Sequence, residues 1–388
     1  MRLSKKYYKL LAYLLLLLSL CWTSRFLLFV RPTASFPLDL KWQVDLGNST
    51  YERPTFQNGL VLFPANKSFS STWYGLEATT GQVIWSQAIF RNSYRRCLTS
   101  EHLVISGPRF LGVLNPQNGN IIWAEGIGNA ATCSATTIFA IGNRGFVQAL
   151  DIASGQYLWR GVTPKQPFRG LIYNFEAGEL IADGRVIINS TSGQLLRTIE
   201  PSFRVHTPTD QGRGPMYLID DKQLFIGDAI WNIESGDLFY PQEQYGAFAA
   251  PTMTDDTIYI ADAGEHPFPS GVIALDRATY TVKWKYQPQH KLPGFSLITL
   301  SPVAIFDGVG YVIFSDATLR VFDLETGQEL GYWQPQGLDL MFWPGCTLPF
   351  PQLPNPFDCV HSSGVGMATS DDTLFVSFGD GKLYAFGE

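Results

Sequence analysis

The chain has 388 residues, 45% apolar and 16% charged, with 36 Gly and 24 Pro. That length fits two domains or one large repeat fold, and that composition excludes wholesale disorder, collagen and long coiled coils. The net charge is −6, but residues 1–31 hold six basic residues and no acid, which leaves 22 basic against 34 acidic residues in the rest, a net −12. An acidic body argues against sequence-independent nucleic-acid binding, which needs a basic face.

Arg2, Lys5, Lys6 and Lys9 surround the start of an apolar run, Tyr8 to Val30, interrupted only by Thr23-Ser24-Arg25. Twenty-three residues make a helix of about 34 Å, enough to cross a bilayer. Arg25 sits near the far end, where its stem can snorkel to the interface. The basic flank keeps the N-terminus cytoplasmic and sends the remainder to the extracytoplasmic side. Residues 1–31 are therefore expected to be a transmembrane signal-anchor, and 32–38 a linker. Two alternatives stay open: a cleaved signal peptide, although Pro32 fits the cleavage context badly, and a lipidated Cys21, although Leu20 is bulky for that signal.

From residue 39 onward the chain is organised by a repeat. Leu40 to Leu46 is an isolated strand carrying Trp42. Then G-L-E-A-T-T-G-Q-V-I-W (Gly75–Trp85), V-L-N-P-Q-N-G-N-I-I-W (Val113–Trp123) and A-L-D-I-A-S-G-Q-Y-L-W (Ala149–Trp159) share one frame. Weaker copies run from Ile187 to Arg197, Ile230 to Tyr240, Ala274 to Trp284 and Val321 to Gly331. The turn position is Gly81, Gly119, Gly155, Gly193, Gly236, Tyr280 and Gly327, at steps of 36 to 47 residues. Regular spacing in this range means a solenoid, propeller or array.

Each copy reads as two strands around a tight turn. The residue four before the turn is Glu77, Asn115, Asp151, Asn189, Asn232, Asp276 or Asp323, a side chain that can accept from turn N–H groups. The Gly supplies a positive φ. Tyr280 breaks that rule and predicts a strained or differently shaped turn. Trp85, Trp123, Trp159 and Trp284 lie four residues after the turn, where an outer-strand indole can cover the gap to the next unit. Arg197, Tyr240 and Gly331 depart from this and make blades four, five and seven irregular. Two further strands upstream of each copy give four antiparallel strands per unit of about 44 residues, the size of a propeller blade.

The chain ends in a unit that lacks its fourth strand. Pairing of residues 39–46 with 382–387 would supply it, with Trp42 in the place of the other tryptophans, and close a ring of eight blades over residues 39–388.

Between blades seven and eight lies a Pro-rich insertion, residues 334–360, whose Phe342, Trp343, Phe350 and Phe357 are candidates for a partner-binding loop. Cys346 and Cys359 within it are the disulfide candidates. Cys97 and Cys133 occupy equivalent positions in adjacent units and are expected to be free buried thiols, because neighbouring blades diverge. No Cys/His spacing indicates a metal, and the five His are scattered. Arg91 to Arg96 is the basic cluster of the acidic body, read as a solvated inter-blade loop, with a site for an acidic partner or lipid headgroup as the alternative. Asn48, Asn66 and Asn189 fit the glycosylation pattern at about the frequency chance allows.

The frame A-L-D-x-x-T/S-G-Q-x-x-W resembles the repeat of the quinoprotein (pyrroloquinoline-quinone) dehydrogenases and their non-catalytic relatives. The resemblance runs from about Asp39 to Glu388 and implies an all-β, eight-bladed propeller. It departs from the dehydrogenases in having no adjacent Cys pair and no Asp, Glu or Asn marked by motif as calcium ligand or base. Asp220-Asp221, Asp255-Asp256 and Asp371-Asp372 read as turn residues. The resemblance is therefore to non-catalytic members, such as the propeller lipoprotein of the bacterial outer-membrane-protein assembly machinery. The expected protein is a membrane-anchored, periplasmic or lumenal scaffold. It has no catalytic residue, cofactor or metal, and it binds an unidentified protein partner but no nucleic acid. The alternatives are a quinone-dependent oxidoreductase and a ligand-sensing propeller.

Overall fold

A computed structural model describes residues 36–47, 53–67, 70–89, 95–107, 110–126, 131–142, 145–161, 170–183, 186–199, 216–220, 222–226, 229–239, 250–262, 271–288, 299–336 and 365–388. The expected anchor, residues 337–360 of the Pro-rich insertion with Phe342, Trp343, Phe350 and Phe357, and the pair Cys346 and Cys359 lie outside the described residues. Among the described residues no helix is long and apolar enough to cross a membrane.

The described residues form eight four-stranded antiparallel sheets. Blade 1 runs through Thr55–Gln57, Leu60–Lys67, Ser70–Glu77 and Val83–Ile89. Blade 2 has Arg95–Leu98, Leu103–Gly107, Phe110–Leu114 and Ile121–Glu125; blade 3 has Ala131–Cys133, Thr137–Ile141, Val147–Asp151 and Tyr157–Arg160. Blade 4 has Leu171–Asn174, Glu179–Ala182, Val186–Asn189 and Leu195–Thr198; blade 5 has Met216–Leu218, Gln223–Ile226, Ala229–Asn232 and Leu238–Phe239. Blade 6 has Thr252–Met253, Thr257–Asp262, Gly271–Asp276 and Val282–Tyr286; blade 7 has Ala304–Phe306, Val309–Ile313, Leu319–Asp323 and Glu329–Trp333. Blade 8 joins the two ends of the chain: Val365–Thr369, Leu374–Phe378 and Lys382–Gly387 pair in order, and Asp39–Asp45 adds outside Lys382–Gly387, from Asp39 opposite Gly387 to Asp45 opposite Lys382.

The pattern of burial follows from this stacking. First strands of neighbouring blades meet around the axis. Second and third strands are covered on both faces, so they read as near-continuous apolar runs: Leu103–Gly107 is buried at all five positions and Leu374–Phe378 likewise. Fourth strands form the rim and are largely exposed.

Blades are locked to one another by the tryptophans. Trp42, Trp85, Trp123, Trp159 and Trp284 each donate the indole N–H to a turn carbonyl of the next blade, those of Ala78, Pro116, Ile152, Ser190 and Leu324, at 2.8–3.0 Å. The acceptor is always three residues before the turn Gly. The ring lies directly over that Gly: a Cβ on Gly119 would come 2.3 Å from Trp85, and one on Gly193 2.4 Å from Trp159. Glycine is thus required twice, for its φ near +72° and for the ring above it. Trp42, on the strand that completes blade 8, covers Gly81 of blade 1 in the same way.

The side chain four before the turn does what its chemistry suggests. Asp151 Oδ1 accepts from the N–H and hydroxyl of Ser154 at 2.8 and 2.7 Å. Asn189, Asp276 and Asp323 repeat the pattern, and Asn232 accepts from the Ser235 N–H. These hydrogen bonds, led by those of Ser154, Thr279 and Thr326, hold the Asp151, Asp276 and Asp323 carboxyls below the ordinary range.

The structure decides two expectations. At Tyr280 the turn keeps the common shape and is strained, the first of the two outcomes expected there. The Tyr280 φ is +57° and its N–H reaches the Asp276 carbonyl at 2.8 Å, as the Gly turns do. Blade 5 brings no tryptophan to this turn. The Tyr280 ring itself takes the space, 5.0 Å from Phe239, with its hydroxyl donating to Gln223. Packing thereby offsets the strain of a positive φ on a bulky residue. Cys97 and Cys133 are not free thiols but a disulfide, with Cα atoms 6.0 Å apart. Blades do diverge, but least at the axis, and both cysteines are on first strands, where the separation falls within bonding reach.

The blades with atypical outer strands also find substitutes. Ile199 of blade 4 approaches Gly236 where an indole would be. In blade 7, Trp333 packs against Phe378, Tyr384 and Phe386 of blade 8, with ring centroids 4.8–5.8 Å apart.

Candidate functional site

Three regions hold the polar chemistry of the described propeller. The first is the axis. The first strands carry no Asp or Glu among their described residues, and their charged members are Arg95 and Arg96. Arg96 donates to the backbone carbonyls of Arg53 and Pro54, tying blade 2 to blade 1, and the Cys97–Cys133 disulfide ties blade 2 to blade 3. Blades 1 to 3 are therefore cross-linked at the centre.

The second region is a buried ionic network at the root of the Pro-rich insertion. Arg320 and Asp316 are both 3% exposed. The guanidinium donates to Asp316 Oδ2 at 3.0 Å, Thr318 Oγ1 at 3.0 Å and Glu329 Oε2 at 3.3 Å. Tyr286 of blade 6 donates to the same Glu329 oxygen at 2.5 Å, and Gln334 donates to the Asp316 carbonyl at 3.3 Å. Burial pushes the Tyr286 phenol far above its usual range. Burial also works against the charge on Arg320, but Asp316, Tyr286 and Glu329 outweigh it and keep the guanidinium protonated. The network ties blade 7 to Tyr286 of blade 6 and holds Gln334, the first residue of the Pro-rich insertion. Sequence reasoning passed over it, although a charge on a third strand, buried on both faces, is a signal that partners must exist.

The third region is the face that carries the turns within each blade, between first and second and between third and fourth strands. Here Lys283 donates to Asp256 Oδ2 at 2.9 Å and Thr257 Oγ1 at 2.8 Å. In blade 8, Lys41 reaches the Asp372 carbonyl at 2.9 Å and the Asp372 carboxylate at 3.6 Å. The Lys283 bond, helped by Thr257 and Thr254, lowers the Asp256 carboxyl to about 2. The rim beside this face is apolar in blades 1 to 4: Ile84 is 52% exposed, Leu158 55% and Leu196 49%.

The repeat residues Trp42, Gly81, Trp85, Gly119, Trp123, Gly155, Trp159, Gly193, Gly236, Trp284 and Gly327 thus meet at blade junctions rather than at one site.

The model of the family described as outer membrane protein assembly factor BamB matches residues 143–336, half of the chain. Among solved structures, BamB from Moraxella catarrhalis superposes with a TM-score of 0.61 at 15% identity, covering 90% of this chain and all of that one. The computationally designed Ika8 protein gives 0.61 at 15% identity, over 89% of this chain and 98% of its own. A europium-containing methanol dehydrogenase gives 0.61 at 10% identity, over 90% and 93%. At these identities the likeness is one of fold. No curated protein sequence matches. The calcium that the dehydrogenase resemblance brings needs hard oxygen donors. The described first strands offer no carboxylate, and no group of three or more His, Cys, Asp or Glu gathers among the described residues. The described axis does not fit such a group.

Proposed function

This chain belongs to the PQQ-like β-propeller family, and from that premise we propose that it is a non-catalytic scaffold for protein–protein interaction. In this reading the apolar run of residues 8–30 anchors it, with the propeller on the extracytoplasmic side of a membrane. A role in envelope assembly fits the family whose model it matches. The observation that carries the reading is the contrast between axis and rim. The described first strands present no carboxylate donor set, while large apolar side chains stand exposed on the outer strands of blades 1 to 4.

The rival is a quinone-dependent oxidoreductase, which shares the fold. Purified full-length protein is incubated with the quinone, calcium and an electron-accepting dye over a panel of alcohols. The scaffold reading expects no dye reduction above the rate without protein. Turnover that saturates with substrate would overturn it.

A further inference from the structure

We propose that a hollow on the turn face of blade 2 is a socket for a lysine side chain of a protein partner. Four blades build the turn between their first and second strands alike. The N–H of Thr99, Ser134, Thr254 or Ser370 bonds the carbonyl of the residue three further on, at 2.9 Å in each case. Glu101, Thr136, Asp256 and Asp372 are therefore equivalent positions. On the outer strand, the residue before the tryptophan is equivalent too: Ile122, Leu158, Lys283 and Lys41.

In blades 6 and 8 these positions hold an acid and a lysine, and the lysine folds back onto the turn. In blade 3 both have changed together, to Thr136 and Leu158. In blade 2 only one has changed. Glu101 keeps the acid, but Ile122 stands where the lysine would be, 42% exposed. Among the described residues no Lys or Arg pairs with Glu101.

A space remains where the lysine stem and ammonium lie in the other blades. It is a hollow of about 370 Å³ lined by Glu101, His102, Ile122, Asn58 and Asn115, among others. His102 occupies the place of Thr257 and Thr373, whose hydroxyls face the internal lysines. Its Nδ1 is buried without a hydrogen-bond partner. The hollow thus offers a carboxylate for an ammonium group and, in Ile122, an apolar wall for a four-carbon stem. Both complement a lysine arriving from outside. The blades with an internal lysine show how that ammonium is held.

This socket rests on the scaffold reading and gives one of its contacts a chemistry. The test uses the full-length protein in detergent and a blocked tetra-lysine peptide as probe, with the same peptide Nε-acetylated as control. The expected result is binding of the lysine peptide and none of the acetylated one. Glu101→Gln and Ile122→Lys should each weaken binding about two- to fivefold, the scale of one exposed ion pair. The matched changes far from the hollow, Glu325→Gln and Leu330→Lys in blade 7, should leave it unaltered. Equal losses in the blade 7 variants would show only general attraction to an acidic body and would overturn the socket. So would an unchanged affinity in Ile122→Lys, or no binding by the wild type. None of these outcomes touches the scaffold reading, which is tested separately by quinone-dependent turnover and by trapping of a partner in membranes.

Discussion

Replacing Gly119 with Ala, and separately Gly236 with Ala, isolates what the tryptophan contributes to a blade junction. Both glycines sit at turns with positive φ, +72° and +79°. Each Ala therefore carries about 1–2 kcal/mol of left-handed strain. At Gly236 the nearest atom to the new Cβ is Ile199 Cγ2 at 3.3 Å, which a small adjustment accommodates. At Gly119 the Cβ would lie 2.3 Å from the Trp85 ring, and that ring is only 8% exposed. The indole must move off the turn. Its buried N–H then loses the Pro116 carbonyl at 3.0 Å, a cost of about 1–3 kcal/mol. Re-exposing about 60 Å² of ring adds about 1.5 kcal/mol. The expected losses are about 3.5–6.5 kcal/mol for Gly119→Ala and about 1–2 kcal/mol for Gly236→Ala. Denaturant unfolding of the full-length protein, followed by tryptophan fluorescence, measures both. Equal shifts in midpoint would refute the docking argument, because the strain is common to both variants and the ring is not.

Three further outcomes are expected. Arg320→Met should cost about 3–5 kcal/mol by leaving Asp316 buried beside an apolar side chain, and Arg320→Met with Asp316→Leu should recover part of that loss in thermal unfolding. Cys97 and Cys133 should appear as linked peptides in non-reducing mass mapping, and replacing both with Ala should cost about 3–4 kcal/mol in the chain-entropy account of a loop this long. Asp256 has a folded-state pKa of about 2, below the ordinary carboxyl value of 3.8. Its contribution to stability is therefore full above the unfolded value and is lost as pH falls from about 4 to about 2. Carboxyl NMR should place its midpoint near 2 in the wild type and clearly higher in Lys283→Met.

Much of the propeller was legible because its determinants are local and repeated. A Gly, an Asx residue four before it and a Trp four after it recur in one frame, and each performs in the structure the task its chemistry suggests. What escaped was set by distance in space. The indole's acceptor lies in the next blade, about thirty to forty residues away, at a carbonyl that has no side-chain signature. The expectation of free thiols at Cys97 and Cys133 treated blade divergence as uniform, whereas it vanishes toward the axis. Tyr280 read as a defect because the sequence does not display the empty space that its ring fills. The candidate socket was hidden for another reason. Glu101 and Ile122 look ordinary until they are set beside Asp256 with Lys283 and Asp372 with Lys41, and that comparison needs the fold to align the blades.

The central claim, that the propeller binds protein rather than turning over a substrate, is tested most directly by photo-crosslinking in native membranes. A photoreactive residue is placed at Ile122, at Trp343 in the Pro-rich insertion and, as a control, at Leu330. Illumination followed by capture of the full-length protein should give discrete protein adducts from Ile122 or Trp343, each of one mass and each absent from the Leu330 control. Failure of both positions to trap any protein would contradict the account.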